Sequence, residues 1–157
     1  MIPINDALLD NLVREARASE RKRKNYNFHK HPSDTLQRML NALEPGSYVQ
    51  PHKHESPDKR EAFIILRGEA VVVEFDDEGE ITESHILSNK TGNYGVEVAP
   101  RTWHAIYALQ SGTVVYELKD GPYNPRNDKV FAPWAPREGD AEAEGYMSKL
   151  IHTLGRG

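Results

Sequence analysis

The stretch Gly46-Ser47-Tyr48-Val49-Gln50-Pro51-His52-Lys53-His54 decides how this chain is read. Side chains along a strand alternate between its two faces, so an extended His52-Lys53-His54 aims both imidazoles the same way. Two imidazoles on one face are half of a metal site. Glu61 opens the next apolar run, Ala62 to Leu66, and supplies a carboxylate if that run folds back alongside. His104, in Thr102-Trp103-His104, is the natural fourth ligand.

Counting alone gives the pair little weight, since seven histidines in 157 residues produce about 0.3 His-x-His pairs by chance. Context raises it. Gly46 lies six residues before His52, Glu61 lies seven before Gly68, and a proline-bearing turn at Pro100 leads into His104. Because cysteine is absent, disulfides, thiolate metal sites and a cysteine nucleophile are all excluded. A metal here is held by nitrogen and oxygen, which suits zinc, iron, manganese, nickel, cobalt or copper.

From residue 61 onward the signals are those of short strands: 61 to 67, 70 to 75, 81 to 87, 94 to 98, 104 to 109 and 113 to 119. Glycine-bearing turns such as Asp76-Asp77-Glu78-Gly79 divide them. Such spacing without intervening helices predicts an antiparallel sandwich or barrel. Upstream, Asn5 is placed to cap a helix over 5–19 with Leu8, Leu9, Leu12, Val13 and Ala16 as its apolar stripe. The polar segment Arg21 to His31 reads as a solvated linker or as an arm offering cations to an anionic ligand. Leu36 to Leu43 has helical spacing but ends abruptly at Pro45-Gly46. After Asp120 the proline-rich tail predicts an extended strap, with a terminal helix near 140–152 weakened by Gly145.

Taken together, Gly46, His52, His54, Glu61 and Gly68 resemble the first motif of the cupin superfamily, and Ala99 to His104 resembles the second. The gap between His54 and Glu61 is wider than the family's, leaving Asp58 at the nominal spacing as a rival ligand. Ala99 and Arg101 stand where proline and glycine are usual, and Ala108 replaces the closing asparagine. Leu40 to Val49, Phe75 to Gly79, Lys119 to Tyr123 and Phe131 to Pro136 are similar to the WbuC family of cupin-fold metalloproteins.

That resemblance implies a mainly β fold, the cupin antiparallel β-barrel (double-stranded β-helix or jelly roll), with an N-terminal helix and an extended C-terminal tail. It implies a single cupin domain over 1–157, its barrel core at 38–119 and its tail at 120–157, and it turns residues 38 to 44 into a strand. The implied ligands are His52, His54, Glu61 and His104, binding one divalent transition metal (Zn, Fe, Mn or Ni). Gln50 and Arg67, by strand parity, and His29, on the arm, are expected substrate contacts. Phe63 and Ile65 share Glu61's parity and are expected in the core.

The implied role is action on a sugar or nucleotide-sugar intermediate of bacterial surface-polysaccharide or lipopolysaccharide synthesis, as a metal-dependent isomerase or epimerase. A non-catalytic metal-dependent sugar-binding or regulatory module and a ferrous dioxygenase are the alternatives. A net charge of −4 disfavours a general nucleic-acid surface. With no apolar run long enough to span a bilayer and no secretory signal pattern at Met1 to Asp6, the expectation is a cytoplasmic protein without membrane insertion. A small sugar-like substrate and a homodimer are the expected partners.

Overall fold

In the computed structural model, which describes residues 1–155, helix α1 (Asp6–Ala18) precedes a run of strands. Asn5 caps it, its side chain accepting the Leu8 amide proton, and Leu9, Leu12, Val13 and Ala16 are buried. They pack on Leu40, Ala42 and Val114, so the apolar stripe covers the outer face of a sheet.

That sheet contains β1 (Arg23–Asn27), β2 (Leu36–Leu43), β4 (Glu61–Arg67), β7 (Gly95–Val98) and β9 (Thr113–Asp120), in the order β1-β2-β9-β4-β7. The second sheet contains β3 (His52–Lys53), β5 (Ala70–Phe75), β6 (Ile81–Leu87), β8 (Trp103–Ala108) and β10 (Val130–Phe131), in the order β10-β3-β8-β5-β6. Every named pairing is antiparallel. Two facing antiparallel sheets with these crossovers make the jelly roll of the cupin fold.

Period-two alternation divides each strand between interior and cover. On β5 and β8, Ala70, Val72, Ile106 and Ala108 join the core between the sheets. Val71, Val73, Phe75, Trp103, Ala105 and Tyr107 face outward and are buried by the tail residues Ala132 and Ala135 and by α2 (Ala143–Thr153) through Met147 and Leu150. The tail is therefore a second cover, equivalent to α1 on the other sheet. Gly145 sits exposed in α2 with open space around it, costing only its weak helix propensity, about 1 kcal/mol.

Two segments depart from a propensity reading. Leu36 to Leu43 is a strand because tertiary pairing overrides helical spacing: β2 lies between β1 and β9 in full register. The segment read as a solvated linker is in part β1, paired with β2 from Arg23↔Leu43 to Asn27↔Met39. Its polar side chains do not prevent pairing, since an edge strand of this kind has water on one side.

Candidate metal centre and its chamber

His52, His54, Glu61 and His104 come together from β3, its following loop, β4 and β8, and each is buried. One ligand atom from each lies within 4.8 Å of all the others. The pairing registers explain the convergence. His52 is opposite His104, while Glu61 begins β4 and pairs with Val98 and Lys119 in the facing sheet.

Backbone carbonyls orient all three rings. His52 Nδ1–H donates to the Gln50 carbonyl at 3.0 Å, His104 Nδ1–H to the Thr102 carbonyl at 2.9 Å, and His54 Nδ1–H to the Asp128 carbonyl. A ring that donates through Nδ1 presents the lone pair of Nε2 when neutral. Three such lone pairs thus face one carboxylate. Glu61 Oε2 lies 2.8 Å from His104 Nε2 and 3.3 Å from His54 Nε2, so a cation must sit between them. A proton shared with an imidazole is one answer and a metal ion is the other.

His52 Nε2 discriminates between these, being fully buried with no hydrogen-bond partner among the described residues. An orphaned imidazole nitrogen aimed into a ring of acceptors is costly unless it is a ligand. Burial, reinforced by the nearby Lys129 charge, holds the His52 imidazolium well below its usual range. Burial would raise Glu61, but His104, His54 and Lys119 override it and keep the carboxyl well below normal. Imidazoles tethered to backbone carbonyls through their distal nitrogens, together with a carboxylate, are the donor set that a divalent first-row metal takes. The residues present fit such an ion.

Asp58 does not compete for this position. It is exposed on the wide turn and accepts from Arg101 Nε at 2.9 Å. Arg101 has φ +66°, the left-handed conformation for which glycine is usual at this place in the motif. Its amide proton is donated to the His54 carbonyl at 2.9 Å, so the same strained residue ties the two motifs together.

The centre opens into a chamber of about 640 Å³ between the sheets, within the usual range for small-molecule sites. Phe63, Ile106 and Leu43 line its apolar side, and Arg23, Lys24, Asn25, Asn27 and His29 line its mouth. His29 is among the lining residues, and its Nδ1 accepts the Arg38 amide proton at 3.1 Å.

Gln50 and Arg67 are placed elsewhere. Strand β3 contains only His52 and Lys53, so alternation does not extend through Pro51. The Gln50 amide instead donates to the Ala132 carbonyl at 3.3 Å. For Arg67 the parity expectation fails at a register shift between Ile65 and Arg67. Its guanidinium turns outward to Asp6 and Asp10 on α1, at 2.7 and 2.6 Å.

Sequence reasoning missed the charged wall. Glu117 and Lys119 follow Val115 on the inward parity of β9, opposite Phe63 and Glu61. Charged residues at interior positions of a strand were the available signal. Burial, with the charge of Glu61 and a hydrogen bond to it, pushes Glu117 up to about 8. Asn41 donates to its carboxyl. Asp128, from the tail, receives Lys59 at 2.6 Å and Lys119 at 2.9 Å.

Fold and site together define a cupin with a buried three-histidine, one-glutamate cluster that can hold a metal. The chain belongs to the family described as Domain of unknown function (DUF6016), whose model matches residues 4–87. No match was found among curated proteins. Among solved structures, KdgF from Halomonas sp. is similar at 20% identity, over 66% of this chain and 82% of that one, with a TM-score of 0.50. The capsular polysaccharide assembling protein CapF from Staphylococcus aureus matches at 22% identity over 68% of this chain, with a TM-score of 0.56. The match spans only 28% of CapF. An L-ribose isomerase from Cellulomonas parahominis matches at 15% identity, over 70% of this chain and 69% of that one, with a TM-score of 0.54. At these identities the likeness concerns the fold. No helix among the described residues is long and apolar enough to cross a membrane.

Proposed function

We propose that this protein is a metal-dependent cupin enzyme acting on a sugar or nucleotide-sugar intermediate of bacterial surface-polysaccharide or lipopolysaccharide synthesis, as an isomerase or epimerase. The observation that carries the reading is the orphaned, buried Nε2 of His52, facing two other backbone-tethered imidazoles and Glu61. His52, His54, His104 and Glu61 would hold the ion, and the adjoining chamber has room for a sugar. When bound, the metal supplies Lewis acidity toward a carbonyl or hydroxyl oxygen.

The chain's own residues supply the rest. Lys119 and Asp128 form a buried pair beside Glu61, fixing the carboxylate's surroundings. Phe63 and Ile106 keep one side of the chamber dry, strengthening every charge interaction inside. Glu117, protonated over much of the neutral range, stands within the chamber as a proton donor to a ligand oxygen. The sequence likeness to the WbuC family and the fold shared with CapF and with an L-ribose isomerase support a sugar as the substrate class.

The test has two parts. Protein purified without chelator is analysed for metal, and stoichiometric metal is expected. The loaded protein is then incubated with nucleotide sugars in deuterated water, and deuterium entering the sugar is expected. Ligand-induced thermal stabilisation without exchange or turnover would replace the enzyme reading with that of a sugar-binding module.

A further inference from the structure

Among the described residues, Lys129 is a chamber-lining cation with no ion pair. Lys129 lies just before β10, whose Val130 and Phe131 pair with Lys53 and His52, and its side chain lines the chamber. No carboxylate lies within 4.0 Å of its ammonium and no hydrogen bond reaches it among the described residues. The neighbouring cations differ in this respect. Lys59 and Lys119 share Asp128. At the mouth, Arg21 and Arg23 are both held by Glu138, at 2.6 and 2.7 Å, and Lys24 lies 3.5 Å from Glu15.

The Lys129 side chain is partly buried, and a chamber-wall ammonium with no carboxylate in contact is free to donate charge-assisted hydrogen bonds to an incoming anion. Burial lowers the Lys129 pKa, with Glu61 acting against that trend. A bound divalent metal would add positive charge beside Lys129. A chamber of this volume, with an ammonium next to the metal centre that forms no ion pair among the described residues, is complementary to a small anion.

We infer that the ligand's reacting unit carries an anionic oxygen group, a carboxylate or a phosphate, which pairs with Lys129 beside the metal centre. This rests on the reading above for the metal, and it adds that the anion sits in the inner chamber. The rim arginines, by contrast, share the Glu138 carboxylate.

Isothermal titration with three probes of one ring type tests this: D-glucose, D-glucuronate and D-glucose 6-phosphate. Each is titrated into wild type and Lys129→Met, both zinc-loaded and chelator-stripped. At least one anionic probe is expected to bind wild type tenfold or more tightly than glucose, and whichever binds distinguishes carboxylate from phosphate. Lys129→Met is expected to lose at least tenfold for that probe while keeping its zinc stoichiometry, and Lys129→Arg is expected to recover most of the loss. If the methionine variant fails to fold, as read by circular dichroism, Lys129→Gln replaces it. Equal binding of glucose and both anions, binding of neither anion, or unchanged anion affinity in the neutral variants would overturn the inference. Failure of the metal reading looks different: wild type takes up no zinc, and the probe comparison is then decided in the stripped protein.

Discussion

The two ends of the interior between the sheets are built on the same strands and behave oppositely. Along β4 the inward side chains run Glu61, Phe63, Ile65; along β9, in register, Lys119, Glu117, Val115; along β8, His104, Ile106, Ala108. One end is therefore titratable and the other is a hydrocarbon core of Ile65, Ala108, Val115 and Val72. Four residues of strand, roughly 13 Å, separate a site for a cation from a place where none could survive. Polar groups are tolerated at the first end only because each finds a partner: carbonyls for the histidine Nδ1 atoms, Asp128 for two lysines, Asn41 for Glu117. Among the described residues the exception at this end is His52 Nε2, buried without a partner, and the partly buried Lys129 beside it forms no ion pair.

Breaking the polar end at its centre gives the largest effect. A His52→Ala, His54→Ala double variant is expected to fall from stoichiometric metal to background by elemental analysis. Metal retained in that variant sinks the site assignment. Next, Asp128→Asn leaves Lys59 and Lys119 buried against a neutral group. We expect a loss of about 4 kcal/mol in denaturant unfolding, in the range for breaking a buried pair from one side. A loss under about 1 kcal/mol would mean that water reaches the pair.

The apolar end should respond in stability alone. Ile65→Ala removes a buried side chain from the core and is expected to cost about 3 kcal/mol, with full metal stoichiometry retained. Metal loss in this variant would show that the two ends are not separable.

The smallest effect belongs to the rim. Burial pushes Glu138 up, but the Arg21 and Arg23 guanidinium groups override it and leave the carboxyl below its usual range. A depressed carboxyl pKa contributes stability that is present above the unfolded-state value and lost as pH falls through the folded-state value. Glu138→Gln is therefore expected to cost at most about 0.5 kcal/mol at pH 7, since the group is partly exposed. The difference from wild type should vanish in melts below the ordinary carboxylate range. A difference that grows on acidification would reverse the assigned sign.

Much of this was legible beforehand because it is local. The strands at 61–67, 70–75 and 81–87 follow from alternation and from glycine turns, and their bounds match β4, β5 and β6. The cap at Asn5 is likewise a short-range hydrogen bond. Arg67 and Gln50 show where local reasoning stops: a bulge in one case and a two-residue strand in the other break the parity that was extended through them. Strand β1 was hidden because its polar composition matches a linker, and only β2 supplies its partner.

Within unbroken strands the sequence by itself determined which side chains share a face, since alternation needs only neighbouring residues and backbone sterics. It thereby brought His52, His54 and Glu61 to notice, with His104 added by motif. Tertiary structure decided which charges cancel. Lys119 and Lys59 meet Asp128 across 9 and 69 residues, and Arg21 meets Glu138 across 117, whereas Lys129 meets no carboxylate among the described residues. Pair energies depend on distance and burial, and strand parity carries no information about either.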